Sequence, residues 1–202
     1  MSDFKPMRVP GVELLWPRLD KLYRFDPTHK REDGGRGANV PATADEDRAN
    51  WSVTMKLPEK RGKLLYEKCK EHFKARKPDD EFGDVWGYKE SAGDELNMLF
   101  TVTLKAKTSK GKFNEAPAVT DELGEDLVNK AIWSGSTADV YFKIYPAYNP
   151  SEKKEGISLM LDRVVVTNPV YGGDDYDDLD ETPSAAPAKG KVSDDYDDEI
   201  PF

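Results

Sequence analysis

Two stretches of this chain alternate with a period of two, and that pattern limits the fold more than any other feature. In Trp51-Ser52-Val53-Thr54-Met55-Lys56-Leu57, the residues Trp51, Val53, Met55 and Leu57 take one side and Ser52, Thr54 and Lys56 the other. From Met98 to Lys107, Met98, Phe100, Val102, Leu104 and Ala106 point one way, and Thr101, Thr103, Lys105 and Lys107 the other. A helix repeats its apolar positions at three and four residues, so both stretches read as half-buried strands. Asp139 to Tyr145 is a third, with Val140, Phe142 and Ile144 inward, and Ile157 to Val166 is the last strong strand. Val12 to Phe25 is apolar and aromatic but interrupted by Pro17, which predicts a first strand with a bend or bulge.

One segment has the other period. Between Pro58 and Pro78, Leu65, Cys69, His72 and Phe73 fall at helical spacing, which predicts a helix over about residues 60–76. Residues 1–10 read as a loose arm. Residues 26–49 and 78–95 are polar and Gly-containing and read as long loops. A short helix is expected within Leu123–Ile132. Four or five strands, one principal helix and long loops predict a mainly β fold, an OB-fold-like antiparallel barrel.

The 202 residues are 37% hydrophobic and 34% charged, enough for one core plus appendages. The net charge of −9 is unevenly placed. Residues 174–202 hold 11 Asp/Glu and 2 Lys, leaving 28 acids and 28 bases in residues 1–173. The tail contains two near copies, Asp174-Asp175-Tyr176-Asp177-Asp178 and Asp194-Asp195-Tyr196-Asp197-Asp198, around a Pro/Ala/Ser/Lys-rich spacer. Such composition buries too little surface to offset ordering entropy. The expected organisation is a folded domain over residues 1–173 and a disordered acidic tail over residues 174–202. A neutral body is compatible with nucleic acid if its cations gather on one face.

The single Cys69 excludes an internal disulfide and a multi-cysteine metal site. No apolar N-terminal segment and no run of 18 apolar residues occurs, so a cytoplasmic location is expected. No zinc spacing, phosphate-cradling loop or coherent catalytic set is present. The expectation is a non-enzymatic protein without cofactor or metal.

Binding chemistry is concentrated in Tyr141-Phe142-Lys143-Ile144-Tyr145-Pro146-Ala147-Tyr148. With Phe142 and Ile144 inward, Tyr141, Lys143 and Tyr145 share the outward face. Rings flanking a lysine suit single-stranded nucleic acid, because bases stack on rings and phosphates meet ammonium groups. The alternative is that tyrosines are simply good strand formers on a partly covered face. Lys105, Lys107, Lys110 and Lys112, followed by Phe113, extend the same chemistry, or else form a solvated strand end. Trp16 in the first strand suits either packing or stacking. Trp51 shares the face of Val53 and reads as core. Trp86 and Tyr88 sit in a polar loop and are candidates to cover a groove, and Tyr148, at the end of the Tyr141–Tyr148 segment, is a further candidate to bind the single strand.

The chain ends in Asp197-Asp198-Glu199-Ile200-Pro201-Phe202. A disordered tail gains nothing internally from a terminal Ile, Pro and Phe, whereas a partner's pocket does. This tip resembles the C-terminal peptide of bacterial single-stranded DNA-binding proteins, with Glu199 in place of the usual Asp. The body is similar instead to phage-encoded single-stranded DNA-binding proteins. The points of likeness are Leu14-Leu15-Trp16-Pro17-Arg18-Leu19, Asn50-Trp51-Ser52-Val53-Thr54-Met55 before a helix, Trp86-Gly87, Ala116-Pro117-Ala118-Val119-Thr120-Asp121, Tyr145-Pro146-Ala147-Tyr148-Asn149 and Gly156-Ile157-Ser158-Leu159. The resemblance implies an OB-fold that coats single strands during phage replication or recombination in the bacterial host's cytoplasm. It also implies a tip that recruits replication and recombination proteins of phage or host. The rival expectation is an acidic adaptor that mimics the host tail and captures host replication proteins without touching DNA. Such an adaptor has no need of the outward Tyr141/Lys143/Tyr145 and Lys105/Lys107.

Overall fold

The computed structural model describes residues 6–32, 34–91, 96–149 and 153–171. The acidic tail and its Ile-Pro-Phe tip lie outside the described residues. The elements in chain order are β1 (Met7–Lys30), β2 (Arg36–Pro41), β3 (Asn50–Pro58), α1 (Glu59–Arg76), β4 (Val85–Trp86), β5 (Tyr88–Glu90), β6 (Asn97–Lys105), β7 (Ala118–Asp121), β8 (Thr137–Asn149) and β9 (Lys154–Asn168).

Five of these strands close a ring. β1 pairs antiparallel with β3, β3 with β6, β9 with β8 and β8 with β1. A parallel bridge between Thr103 of β6 and Met160 of β9 completes the cycle β1-β3-β6-β9-β8. The fold is therefore mainly β and OB-fold-like, a five-stranded barrel left partly open at one seam. At that seam β4 runs along β9 and β5 along β6, so the segment 85–90 fills the space where the two barrel strands part. Gly87, at φ +90°, makes the turn between them, and an added Cβ would come within 3.2 Å of the Thr101 carbonyl.

The interior is filled by the predicted inward positions. Val53, Met55 and Leu57 of β3, Phe100 and Val102 of β6, Val140, Phe142 and Ile144 of β8, and Ile157, Leu159 and Leu161 of β9 are all buried in one cluster. Helix α1 closes the barrel with Gly62, Leu65, Cys69 and Phe73, one stripe at spacings of three and four. Gly62 allows this approach, since a Cβ there would fall 2.4 Å from that of Met98. Burial pushes the Cys69 thiol up to about 12, which makes it an inert core residue. Trp51 is buried as expected, but in a small separate cluster with Ala49 and Ala106.

Several expectations need correction. Residues 7–10 are not part of a loose arm, because β1 begins at Met7 and pairs with β8. Residues 26–49 are not all loop, because β1 runs on to Lys30 and forms a hairpin with β2. Residues 78–95 contain β4 and β5. No helix forms between Leu123 and Ile132. Asp121 Oδ1 accepts the N–H groups of Leu123 and Glu125, and Asp126 Oδ1 accepts that of Val128. These side-chain bonds satisfy the backbone in turns and compete with a helix. Leu127 and Ile132 are buried from those turns rather than from a helical face.

Candidate nucleic-acid interface

The strand register places the outward residues in rows around the barrel. One row runs Arg18 (β1), Ser52 (β3), Thr103 (β6), Met160 (β9), Lys143 (β8). Beside it Leu15, Thr54 and Thr101 form a second row, and the Thr54 and Thr101 hydroxyls lie 2.9 Å apart in a hydrogen bond. Trp86, Ser158 and Tyr145 form a third across β4, β9 and β8. Tyr23, Asn50 and Lys105 form a fourth. Thus Lys143, Tyr145, Trp86 and Lys105, which sequence alone could not connect, lie on one continuous outward surface.

The middle of this surface is shielded from solvent. Ser52 and Thr54 point away from the core, yet they are only 7% and 6% exposed. An open sheet face would leave such residues in water, so they line a floor of small hydroxyl groups. Larger groups stand at its borders. On the β1 side is Trp16, at a bulge where three β1 steps from Leu15 to Arg18 oppose two in β3. Trp16 has φ +46° and is 42% exposed, a conformation that a bulky side chain rarely adopts. Its N–H donates to Ser134 Oγ at 2.8 Å. Tyr23 lies beyond, with the Arg18 and Lys21 cations 5.4 and 5.8 Å from its ring centre.

On the opposite border the indole of Trp86 is fixed. Its Nε1–H donates to the Ala147 carbonyl at 2.9 Å, and its ring lies where a Cβ on Gly156 would intrude. Trp86 thereby ties the β8–β9 hairpin to the seam. The 107–113 turn supplies the cations. Lys107 bridges to Phe113 and its ammonium sits 5.1 Å from that exposed ring. Among the described residues, Lys105, Lys107, Lys110 and Lys112 have no carboxylate within ion-pair distance.

The rest of the predicted set is placed differently. Tyr141 faces outward, but its cross-strand neighbours are Arg8 and Arg163, whose guanidinium carbons lie 6.0 and 4.1 Å from its ring centre. Arg8 is in turn bonded to Asp139 at 2.5 Å. Burial alone would raise the Asp139 carboxyl. The N–H of Gly11 and the Arg8 guanidinium outweigh it and hold that carboxyl below its usual range. Lys143 pairs with Asp162 at 2.7 Å, and this bond raises its pKa. Tyr88 does not join the outward face. Its ring packs 5.2 Å from both Tyr66 and Phe100, and burial with a hydrogen bond to Glu90 pushes its phenol up to about 12. Tyr148 is exposed but lies three residues from Tyr145 in the strand, hence on the other side, opposite Glu155, which pairs with Lys77. Sequence reasoning left out the two guanidinium groups on Tyr141, since strand pairing alone brings residues so far apart in sequence together.

Among the described residues no group of three or more His, Cys, Asp or Glu is arranged to hold a metal ion. None of the described helices is long and apolar enough to cross a membrane. No family model and no curated protein matches this sequence. Solved structures do match its fold. One is gp2.5, a single-stranded DNA-binding protein encoded by bacteriophage T7, with a TM-score of 0.50, 17% identity, and 91% of this chain and 99% of that one covered. Another is the single-stranded DNA-binding protein of bacteriophage Enc34 in complex with ssDNA, with a TM-score of 0.52, 16% identity, and coverage of 81% and 86%. A C-terminal truncation of the Enc34 protein gives 0.54, 15%, 83% and 88%. The chain thus has the fold seen in these two phage single-stranded DNA-binding proteins.

Proposed function

We propose that this chain is a non-enzymatic single-stranded DNA-binding protein, one that coats single strands during phage replication or recombination. The observation that carries the reading is the shielded hydroxyl floor of β3 and β6. It is bordered by Trp16 on one side and by Trp86 and Tyr145 on the other, with Arg18, Lys105 and the 107–113 lysines around it. OB barrels take oligonucleotides on the corresponding face, that of their second and third barrel strands. Aromatic rings stack bases with little sequence preference while cations follow the phosphates. The likeness of fold to two phage proteins so named supports this reading. The rings, and the lysines with no carboxylate partner among the described residues, also favour it over the adaptor reading, in which that face has no role.

In the same proposal residues 174–202 act twice. Their net charge of −9 competes with DNA for the cationic face, helped by an effective concentration of order mM for a short tether. The tip Asp197-Asp198-Glu199-Ile200-Pro201-Phe202 docks replication or recombination proteins of phage or host. Titration of the full chain with oligo-dT, followed by tryptophan fluorescence, tests the first part. Quenching and a log–log salt slope of about −2 to −4, for roughly 3–5 neutralised phosphates, are expected. Equal affinity for duplex and single strand would refute it. Phe202→Ala tests the second part. It should abolish capture by proteins that recognise the bacterial tip and leave oligo-dT affinity nearly unchanged.

A further inference from the structure

Trp16 borders the floor in a conformation that its own residue type resists. Bulky side chains rarely adopt its φ of +46°. It also precedes Pro17, whose ring pushes the residue before it towards extended backbone. Such a conformation persists only where the surroundings over-determine it. On one side of β1 the ladder with β3 is interrupted between Leu15 and Arg18. On the other side the register with β8 ends at Glu13, opposite Thr137. The chain just before β8 takes over from there. Leu14 N–H donates to the Ser136 carbonyl at 2.8 Å, and Gly135 N–H to the Leu14 carbonyl at 2.9 Å. Gly135 turns at φ +93°, and the Ser134 hydroxyl accepts the Trp16 N–H at 2.8 Å. A side chain thus continues what the backbone ladder began. The turn that carries this hydroxyl is itself anchored. Ser136 is fully buried; its N–H closes the turn on the Trp133 carbonyl, and its Oγ accepts the Val170 N–H at 2.8 Å. Trp133 N–H donates to the Val170 carbonyl at 2.8 Å. Residues 133–136 are therefore tied both to β1 and to the segment after β9, and Ser134 is a fixed post between them.

We infer that Ser134 is a positioning residue for single-strand binding: its hydroxyl holds Trp16 in the strained bulge that sets the exposed indole beside the Ser52/Thr54 floor. The inference rests on the single-strand reading above. The bond is not needed merely to satisfy a donor. It lies at an exposed site, where water serves a backbone N–H nearly as well. Water does not fix direction, whereas a side chain on an anchored turn does. A ring that is already in place when a base arrives loses less freedom on binding, and affinity gains by that difference. Ser134 acts in this way through Trp16 alone. It carries no charge and needs no contact with the strand.

A double-mutant cycle in the full chain tests this, read by the anisotropy of labelled oligo-dT so that the loss of a tryptophan does not disturb the signal. Ser134→Ala should weaken binding by about three- to tenfold, the range of one net hydrogen bond. The salt slope should be unchanged, because no phosphate contact is lost. In the Trp16→Gly background the same substitution should alter affinity by less than about 1.5-fold. If Ser134→Ala does not fold, Ser134→Cys replaces it in the cycle under reducing conditions, since it is similar in size but offers only a weak sulfur acceptor. An equal loss in both backgrounds would overturn the inference, because Ser134 would then act on the strand or on the fold without Trp16. So would no loss in the wild-type background, a loss that comes with a lower salt slope, or a Trp16→Gly chain that binds as tightly as the wild type. Failure of the wild-type chain to bind oligo-dT would instead remove the single-strand reading itself.

Discussion

The outward wall of this barrel has two aromatic regions, and they differ in what their charges already do. Around Tyr141, Arg8 and Lys143 each have a carboxylate partner. Arg163 and Arg8 flank the ring, Arg8 is bonded to Asp139, and Lys143 to Asp162. A base or phosphate arriving there must break an existing contact to make a new one. Around the β3–β6 floor, Lys105, Lys107, Lys110 and Lys112 lack carboxylate partners among the described residues, and Trp16 is held outward at the expense of backbone strain. The difference teaches that a Tyr-Lys-Tyr pattern reports binding potential only after its cross-strand neighbours are known.

The largest effect expected from this contrast is at Trp16. Replacement by Gly removes a stacking ring and suits the positive φ, so oligo-dT affinity should fall by about 1–3 kcal/mol. The melting temperature should not fall, because relief of about 1–3 kcal/mol of strain at least offsets the entropy that Gly adds to the unfolded chain. A melting temperature lowered together with the affinity would make Trp16 structural. Next are the two tyrosines. Tyr145→Ala should lose about 1–3 kcal/mol of oligo-dT affinity. Tyr141→Ala should lose less than about 1 kcal/mol, because its ring is already engaged by Arg163. The reverse order would move the DNA to the Tyr141 side of the barrel. A smaller change is expected in salt dependence. Lys105→Ala and Lys107→Ala should each reduce the slope by about 0.7, and Lys143→Ala by much less, since Asp162 offsets its charge.

The smallest effect concerns acid stability. The Asp139 carboxyl is lowered in the folded chain from an ordinary value of 3.8. The stability it contributes is complete above that value and is lost as pH falls through the lower, folded one. Asp139→Asn should therefore flatten the decline of the melting temperature below about pH 4, with no change in oligo-dT affinity at neutral pH. Loss of DNA binding in that variant would show that the Arg8–Asp139 pair takes part in the interface.

The barrel was largely legible because its strands are half-buried. Val53, Met55 and Leu57, then Phe100 and Val102, then Val140, Phe142 and Ile144, repeat at two because one face meets the core. The short strands β2, β4, β5 and β7 were not legible, since pairing with distant strands rather than their own pattern makes them strands. Ser52 and Thr54 look solvent-facing in sequence but are buried in the fold. Tyr88 looked like a loop aromatic. Its partner Phe100 is known only from the β5–β6 register. The site was legible as residue types but not as an arrangement. Trp86 and Tyr145 share a row because β4 and β8 both pair with β9, and the Lys143–Asp162 bond depends on a β8–β9 irregularity just after Tyr141.

The claim that single-stranded DNA crosses the β3–β6 floor between Trp16 and the Trp86/Tyr145 border is tested most directly by ultraviolet cross-linking. The full chain would be irradiated with bound oligo-dT, and the modified residues located by mass spectrometry of the digested protein. Cross-links at Trp16, Trp86 and Tyr145, competed away by added salt, are predicted. Cross-links confined to Tyr141 and its arginine neighbours, or none above the level seen with duplex DNA, would contradict it.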